Sequence, residues 1–206
     1  MSMAKIDLPN TNITIVGHWN VAIITPPWIQ SQFPEFKVAD DIPVEIGINI
    51  RDIRFTIKDL LINPSPNRLV VSPKAETQEC CENLILLLRG IVEKLNHTPI
   101  DAIGSNFSYV LDKSEEVAPV KDDAERLDSF YAKTGKKFSG NFVSQHVLVE
   151  KDMQINVFYE ISPSARIVKF NYHRDTSHQD EIVGFITDFP NQKKDSLNLL
   201  NNLLGK

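Results

Sequence analysis

The chain has 206 residues, 42% hydrophobic and 24% charged, with a formal charge of −5 and a pI near 5.5. That length is enough for one large domain or two small ones around a sizeable core. The mild acidity gives no electrostatic footprint for nucleic acid or an anionic membrane, and no window approaches the roughly 18 apolar residues of a membrane span.

The first residues, Met1 to Leu8, lack the continuous apolar stretch of a secretory signal, which leads to an expected cytoplasmic location. From Ile13 the chain is β-rich, with Ile13, Ile15, Trp19, Val21 and Ile23 in one phase. Pro26 and Pro27 stop that strand and open a short helix carrying Trp28, Ile29 and Phe33 on one side. Val44, Ile46, Ile48 and Ile50 share one strand phase, and Ile53, Phe55 and Ile57 share the other. The phase flips at Arg51-Asp52, which marks a turn or a bulge. Asn63 to Asn67, with Pro64 and Pro66, is a turn into the strand from Arg68 to Ser72.

A long helix follows Pro73. Cys81, Leu84, Ile85, Leu88, Ile91, Val92 and Leu95 recur at three- and four-residue spacing, so this stripe is expected to face the core. Adjacent Cys80 and Cys81 cannot form an ordinary disulfide, and two thiols do not complete a zinc site. They read as small hydrophobes on the helix.

The second half runs in a similar order. A strand at 101–111 precedes an acidic connection and a short helix near 122–133, with Leu127, Phe130 and Tyr131 on one face and Gly135 as its cap. Three strands follow, at about 140–150, 153–162 and 166–173, joined by hairpin-length connections into an antiparallel meander. Residues 181–189 fit strand or helix equally, and Ser196 to Leu204 is an amphipathic helix. Two echoes link the halves: Ile62 to Val70 with Ile161 to Val168, and Val16 to Trp19 with Ile103 to Asn106.

Each half, 1–98 and 99–206, therefore reads as strand, short helix, three strands and a longer helix, giving an α+β fold with a mostly antiparallel sheet. This element order resembles the repeat of the TATA-box-binding-protein fold. The resemblance implies one curved sheet built from two similar halves, with the helices on one face. The chain carries none of that family's sequence signatures, and an acidic protein lacks the basic concave face such a saddle needs, so the resemblance bears on architecture.

Two clusters are candidates for chemistry. His173, Asp175, His178 and Asp180, with Glu181 beside them, put imidazoles and carboxylates at a strand end, where a zinc, manganese or iron ion finds suitable ligands. Their spacing matches no metal motif, and a solvated turn has the same composition. Arg51, Arg54, Lys58 and Arg68 form the one hint of a basic stripe, diluted by Asp52 and Asp59. The Gly135-Lys136-Lys137 loop follows a helix instead of preceding one, the reverse of a phosphate cradle. No nucleophile elbow, His-Glu-x-x-His, Cys-x-x-Cys or Walker loop is present, so no catalytic residue and no cofactor is expected.

One pattern points to contacts. Val143, Val147 and Val149 stand against Phe142 and Leu148, and Ile167 stands against Val168, Phe170 and Tyr172. A sheet with one wet face alternates cleanly, so apolar residues in both phases predict that both faces are at least partly covered, one by helices and the other by the second half, a second copy of the chain or a partner. The expected function is non-catalytic binding or scaffolding through protein–protein contacts, with a protein partner or self-association and no membrane. The alternatives are a metal-assisted hydrolase or nuclease at His173–Asp180, and nucleic-acid binding by a curved sheet.

Overall fold

The structure is a computed structural model, describing residues 4–38, 41–46, 53–112, 115, 117, 129, 142–150, 152–161 and 165–205. Among these the protein is α+β, with ten strands in a mostly antiparallel sheet and four α-helices. The strands are β1 (Lys5–Ile6), β2 (Asn12–Gly17), β3 (Val44–Ile46), β4 (Ile53–Ile57), β5 (Leu60–Ser65), β6 (Arg68–Pro73), β7 (Ile100–Leu111), β8 (Phe142–Glu150), β9 (Met153–Ile161) and β10 (Arg166–Asp175). The helices are α1 (Pro26–Gln32), α2 (Gln78–Lys94), α3 (Gln179–Thr187) and α4 (Phe189–Leu203). The chain forms two compact units, and the long strands β7 and β10 contribute to both.

The larger unit comprises Leu8–Asn106 and His173–Pro190. Its strands run in the order β3-β4-β5-β6-β2-β7. Ile15 of β2 stands opposite Leu69 on one side and Ile103 on the other, in antiparallel ladders. Alternation places Ile13, Ile15, Leu60, Ile62, Leu69 and Val71 in the core, fully buried. Helix α2 packs on β5 and β6. It starts at Thr77, whose hydroxyl accepts the Cys80 N–H at 3.1 Å. Its buried residues are Cys80, Leu84, Leu87, Leu88, Ile91 and Val92, so the face is turned from the expected stripe: Cys80 and Leu87 go in, and Ile85 is only half-buried. The choice between neighbouring residues is made by the sheet beneath, because Cys80 Sγ lies 3.1 Å from the Asp59 carbonyl at the β4–β5 turn.

Residues 179–187 are helical, which resolves the ambiguity of that segment. Ile182, Phe185 and Ile186 are buried at helical spacing, and α3 packs against α2. The first strand is shorter than expected and ends at Gly17, where its register with β7 shifts. Gly17 N–H donates to Asn67 O and His18 N–H to Pro99 O, so the backbone is pinched between two connections. A Cβ at Gly17 would lie 2.4 Å from Pro99 O, and only glycine fits. Trp19 is buried beyond it, with its indole N–H donating to Ile15 O at 3.1 Å.

The second unit comprises Met1–Asp7, Phe107–Tyr172 and Asn191–Lys206. Its strand order is β7-β10-β9-β8, with β1 on β7. Phe107 meets Tyr172 and Tyr109 meets Phe170 edge-to-face, at 5.7 and 6.1 Å between ring centroids. The C-terminal helix α4 is longer than expected and is tied to these rings: Tyr172 Oη donates to Asp195 Oδ2, and Tyr109 Oη meets Ser196 Oγ, both at 2.7 Å. The predicted helix near 122–133, its cap Gly135, and the phase flip at Arg51-Asp52 with Ile48 and Ile50 lie outside the described residues.

Candidate functional site

The residues at 173–181 are drawn into the strand–helix junction, and most of them do local structural work. His173 Nε2 lies 2.9 Å from Asp175 Oδ1, with the aspartate almost fully in solvent. Thr176 is the hub of the turn: its N–H donates to Asp101 O, its hydroxyl donates to Glu181 Oε2 at 2.6 Å, and its Oγ1 accepts the His178 N–H at 3.1 Å. His178 is the N-cap residue of α3, without a side-chain cap bond, and Asp180 and Glu181 occupy the first turn, where the helix dipole favours negative charge. The structure therefore brings His173 to Asp175 and commits Glu181 to Thr176. Among the described residues no three His, Cys, Asp or Glu side chains gather where one ion could be held.

The basic residues are placed on one half of the larger unit's sheet and are largely matched. Arg54 Nε donates to Glu45 Oε2 at 2.6 Å across the β3–β4 ladder, with both side chains mostly exposed. Lys58 sits in the two-residue β4–β5 turn with φ of 48° and holds its ammonium 5.3 Å from the centre of the Phe36 ring. Arg68 is exposed at the start of β6, opposite Val16. Arg51 lies outside the described residues. Arg54 has a carboxylate beside it and Lys58 a ring beneath it, which weakens this set as an anchor for a polyanion.

A groove of ≈ 540 Å³ opens between α1 and α2 in the larger unit, lined by Phe33, Pro34, Ile85, Leu86, Gly90 and Lys94 among others. The Phe33 ring lies on Gly90, where a Cβ would come within 2.3 Å of it, and is edge-on to Trp28 and Phe36. Lys94 Nζ stands 5.7 Å from the same ring. Its rim mixes Glu35, Glu82 and Glu93 with Arg89 and Lys94, and carries no convergent polar set for a small molecule.

The feature that composition did not reveal is at the strands that end the ladders. Strand β8 has β9 as its neighbour on one side, and β3 has β4. Val147 is 52% exposed, Leu148 43% and Val149 71%; on β3, Val44 is 43% and Ile46 63% exposed. On β8 both phases face solvent from Gln145 to Glu150, whereas Val168, Phe170 and Tyr172 of β10 are buried and Ile167 is half-buried. Among the described residues β10 lies between β7 and β9 with its second phase half-buried, whereas β8 stands at the end of the strand order with both phases exposed from residue 145. The solvent-side face of β9 and β10 is polar: Gln145 Nε2 donates to Asn156 Oδ1 at 3.4 Å, Asn156 Nδ2 to Asn171 Oδ1 at 3.0 Å, and Lys169 Nζ to Glu160 Oε2 at 3.1 Å. Apolar exposure among the described residues is thus concentrated on β3 and β8, with Val16 on β2, Val110 on β7 and Leu86 on α2 as single exposed residues elsewhere. Compared with known proteins, the chain matches no family model and no curated relative.

Proposed function

We propose that this protein is a non-catalytic binding or scaffolding protein that works through protein–protein contacts made by its terminal strands, as an oligomer. The observation that carries this reading is where apolar surface is left open: of the eight large hydrophobic side chains exposed among the described residues, five are on β3 and β8. A terminal strand offers unpaired N–H and C=O groups, and natural proteins protect such edges with charge, proline or bulges unless a partner pairs with them. From Gln145 to Val149 β8 has none of these protections.

The architecture behind this reading is a duplication. In support, the halves share one strand order: β2 is followed in the ladder by β6, β5 and β4, and β7 by β10, β9 and β8, so in each the first strand lies beside the last. The echoed segments fall at equivalent places in the chain, across the ends of β5 and β6 and of β9 and β10, and in or next to β2 and β7.

The test is a native mass spectrum of the purified chain, read for mass and bound metal together. The reading predicts a metal-free assembly heavier than the 23.4 kDa chain. A monomer carrying one metal ion overturns it and moves His173 and His178 to the front.

A further inference from the structure

We infer that β8 pairs with β8 of a second copy of this chain, antiparallel across a two-fold axis at Val147, so that one sheet runs through both molecules. The inference rests on the protein-contact reading and names its occupant. Strand β8 is held to β9 from Phe142↔Ile161 to Glu150↔Met153. In a hairpin with a two-residue connection the pair flanking the turn exchanges hydrogen bonds, and alternate residues direct theirs away. Gln145, Val147 and Val149 therefore turn their backbone N–H and C=O groups outward, a row that an extended segment can pair with in place of water.

Charge selects the occupant. Gln145 to Val149 carry no formal charge, so neither an acidic nor a basic peptide gains from the edge itself. With the axis at Val147, each Val147 meets its own copy, Gln145 meets Val149, and His146 meets Leu148. Val147, Leu148 and Val149, the apolar residues seen exposed on the described part of the strand, all gain a cross-strand neighbour. Glu150 then lies six residues from its copy along the ladder, roughly 20 Å at the rise of an extended chain. A parallel in-register pair would set the two carboxylates side by side, in a chain already at −5. The antiparallel arrangement is thus the one that keeps like charges apart.

Symmetry selects it as well. Pairing β8 with β8 is isologous and closes at two copies. Pairing β8 with β3 of another copy is heterologous and leads to a ring or an open filament, over a β3 ladder of three residues that includes Glu45.

The experiment uses the full chain with Val147→Lys and Val147→Glu, made separately and then mixed, with mass read by light scattering and folding by circular dichroism. Wild type is expected at twice 23.4 kDa. Each variant alone sets like charges at the axis and is expected to weaken self-association about tenfold or more. The equimolar mixture is expected to recover the dimer, since lysine then faces glutamate. Val149→Lys, at a still more exposed site facing Gln145 of the copy, is expected to weaken the dimer less, and supplies the test if Val147 variants misfold. A wild-type chain that stays at 23.4 kDa up to submillimolar concentration overturns the inference, as does a mixture no heavier than its parts or open-ended growth with concentration. If charges at Val147 leave the assembly intact while Ile46→Lys dissolves it, the β8 pairing is wrong and the protein-contact reading survives. If no substitution on β3 or β8 changes the assembly, both are wrong.

Discussion

Tyr172 donates its phenolic hydrogen to Asp195 Oδ2 at 2.7 Å, and this bond joins β10 to the C-terminal helix α4. One residue further along α4, Ser196 meets the Tyr109 hydroxyl, so two aromatic residues from adjacent strands grip consecutive residues of the helix. Both rings are almost fully buried, which makes these bonds costly to leave unmade.

Tyr172→Phe removes the donor and leaves Asp195 without it. The expected loss is about 1–3 kcal/mol, read as a lower urea midpoint at unchanged m-value. An unchanged midpoint would show that the bond holds nothing.

The same bond sets a pH dependence. Burial pushes the Tyr172 pKa well above its ordinary value of 10.0, and the hydrogen bond to Asp195 and its charge push it further. The folded state therefore keeps a proton that the unfolded chain gives up above pH 10, so this contribution is fully present below pH 10 and is lost as pH rises beyond it. Between pH 9 and 11 the stability of wild type is expected to fall with a steeper slope than that of Tyr172→Phe, by up to about 1.4 kcal/mol per pH unit. Parallel slopes for the two proteins would contradict the assignment; Tyr159, also raised by burial, contributes equally to both.

Three glycines separate close approach from mere flexibility. Gly17→Ala forces a methyl against the Pro99 carbonyl and is expected to destabilise by about 3 kcal/mol or more. Gly90→Ala gains about 1 kcal/mol of helix propensity but must displace the buried Phe33 ring, with a net loss of about 1–2 kcal/mol. Gly184→Ala meets open space on α3 and is expected to stabilise by about 0.5–1 kcal/mol. Thermal melts of the three variants give the order directly, and a destabilised Gly184→Ala would refute it.

At the strand–helix junction, Thr176→Val removes the bonds to Glu181 and His178 together and is expected to cost about 1–3 kcal/mol. His173→Ala is expected to stay within about 0.5 kcal/mol, since its partner Asp175 is exposed. Elemental analysis of the purified chain is expected to find no stoichiometric metal. Bound metal lost on mutating His173 and His178 would establish the site that the geometry does not assemble.

The alternation of Ile13 and Ile15, of Ile155, Val157 and Tyr159, and of Val168, Phe170 and Tyr172 was legible as strands with one core face, since all are buried. What alternation cannot say is which strand lies at the end of a ladder. Segments 142–149 and 167–172 carry apolar residues in both phases alike, yet β10 lies between β7 and β9 and β8 stands at the end of the described strand order. The same limit applies at α2, where Leu87 and Ile85 are equally apolar and only the packed structure distinguishes buried Leu87 from half-buried Ile85. At the candidate cluster, proximity in sequence does not fix proximity of side chains: His173 and Asp175 end β10, His178 and Asp180 begin α3, and among the described residues no three such side chains gather for one ion.

The most direct measurement is amide hydrogen exchange along β8 as a function of protein concentration. The outward N–H groups of Gln145, Val147 and Val149 are expected to exchange fast in dilute solution and to become protected as concentration rises, while Ile15 and Ile103, inside their ladders, stay protected throughout. Exchange along β8 that is equally fast at every concentration, with any binding partner present or absent, would contradict the account that this strand is where the protein makes its contacts.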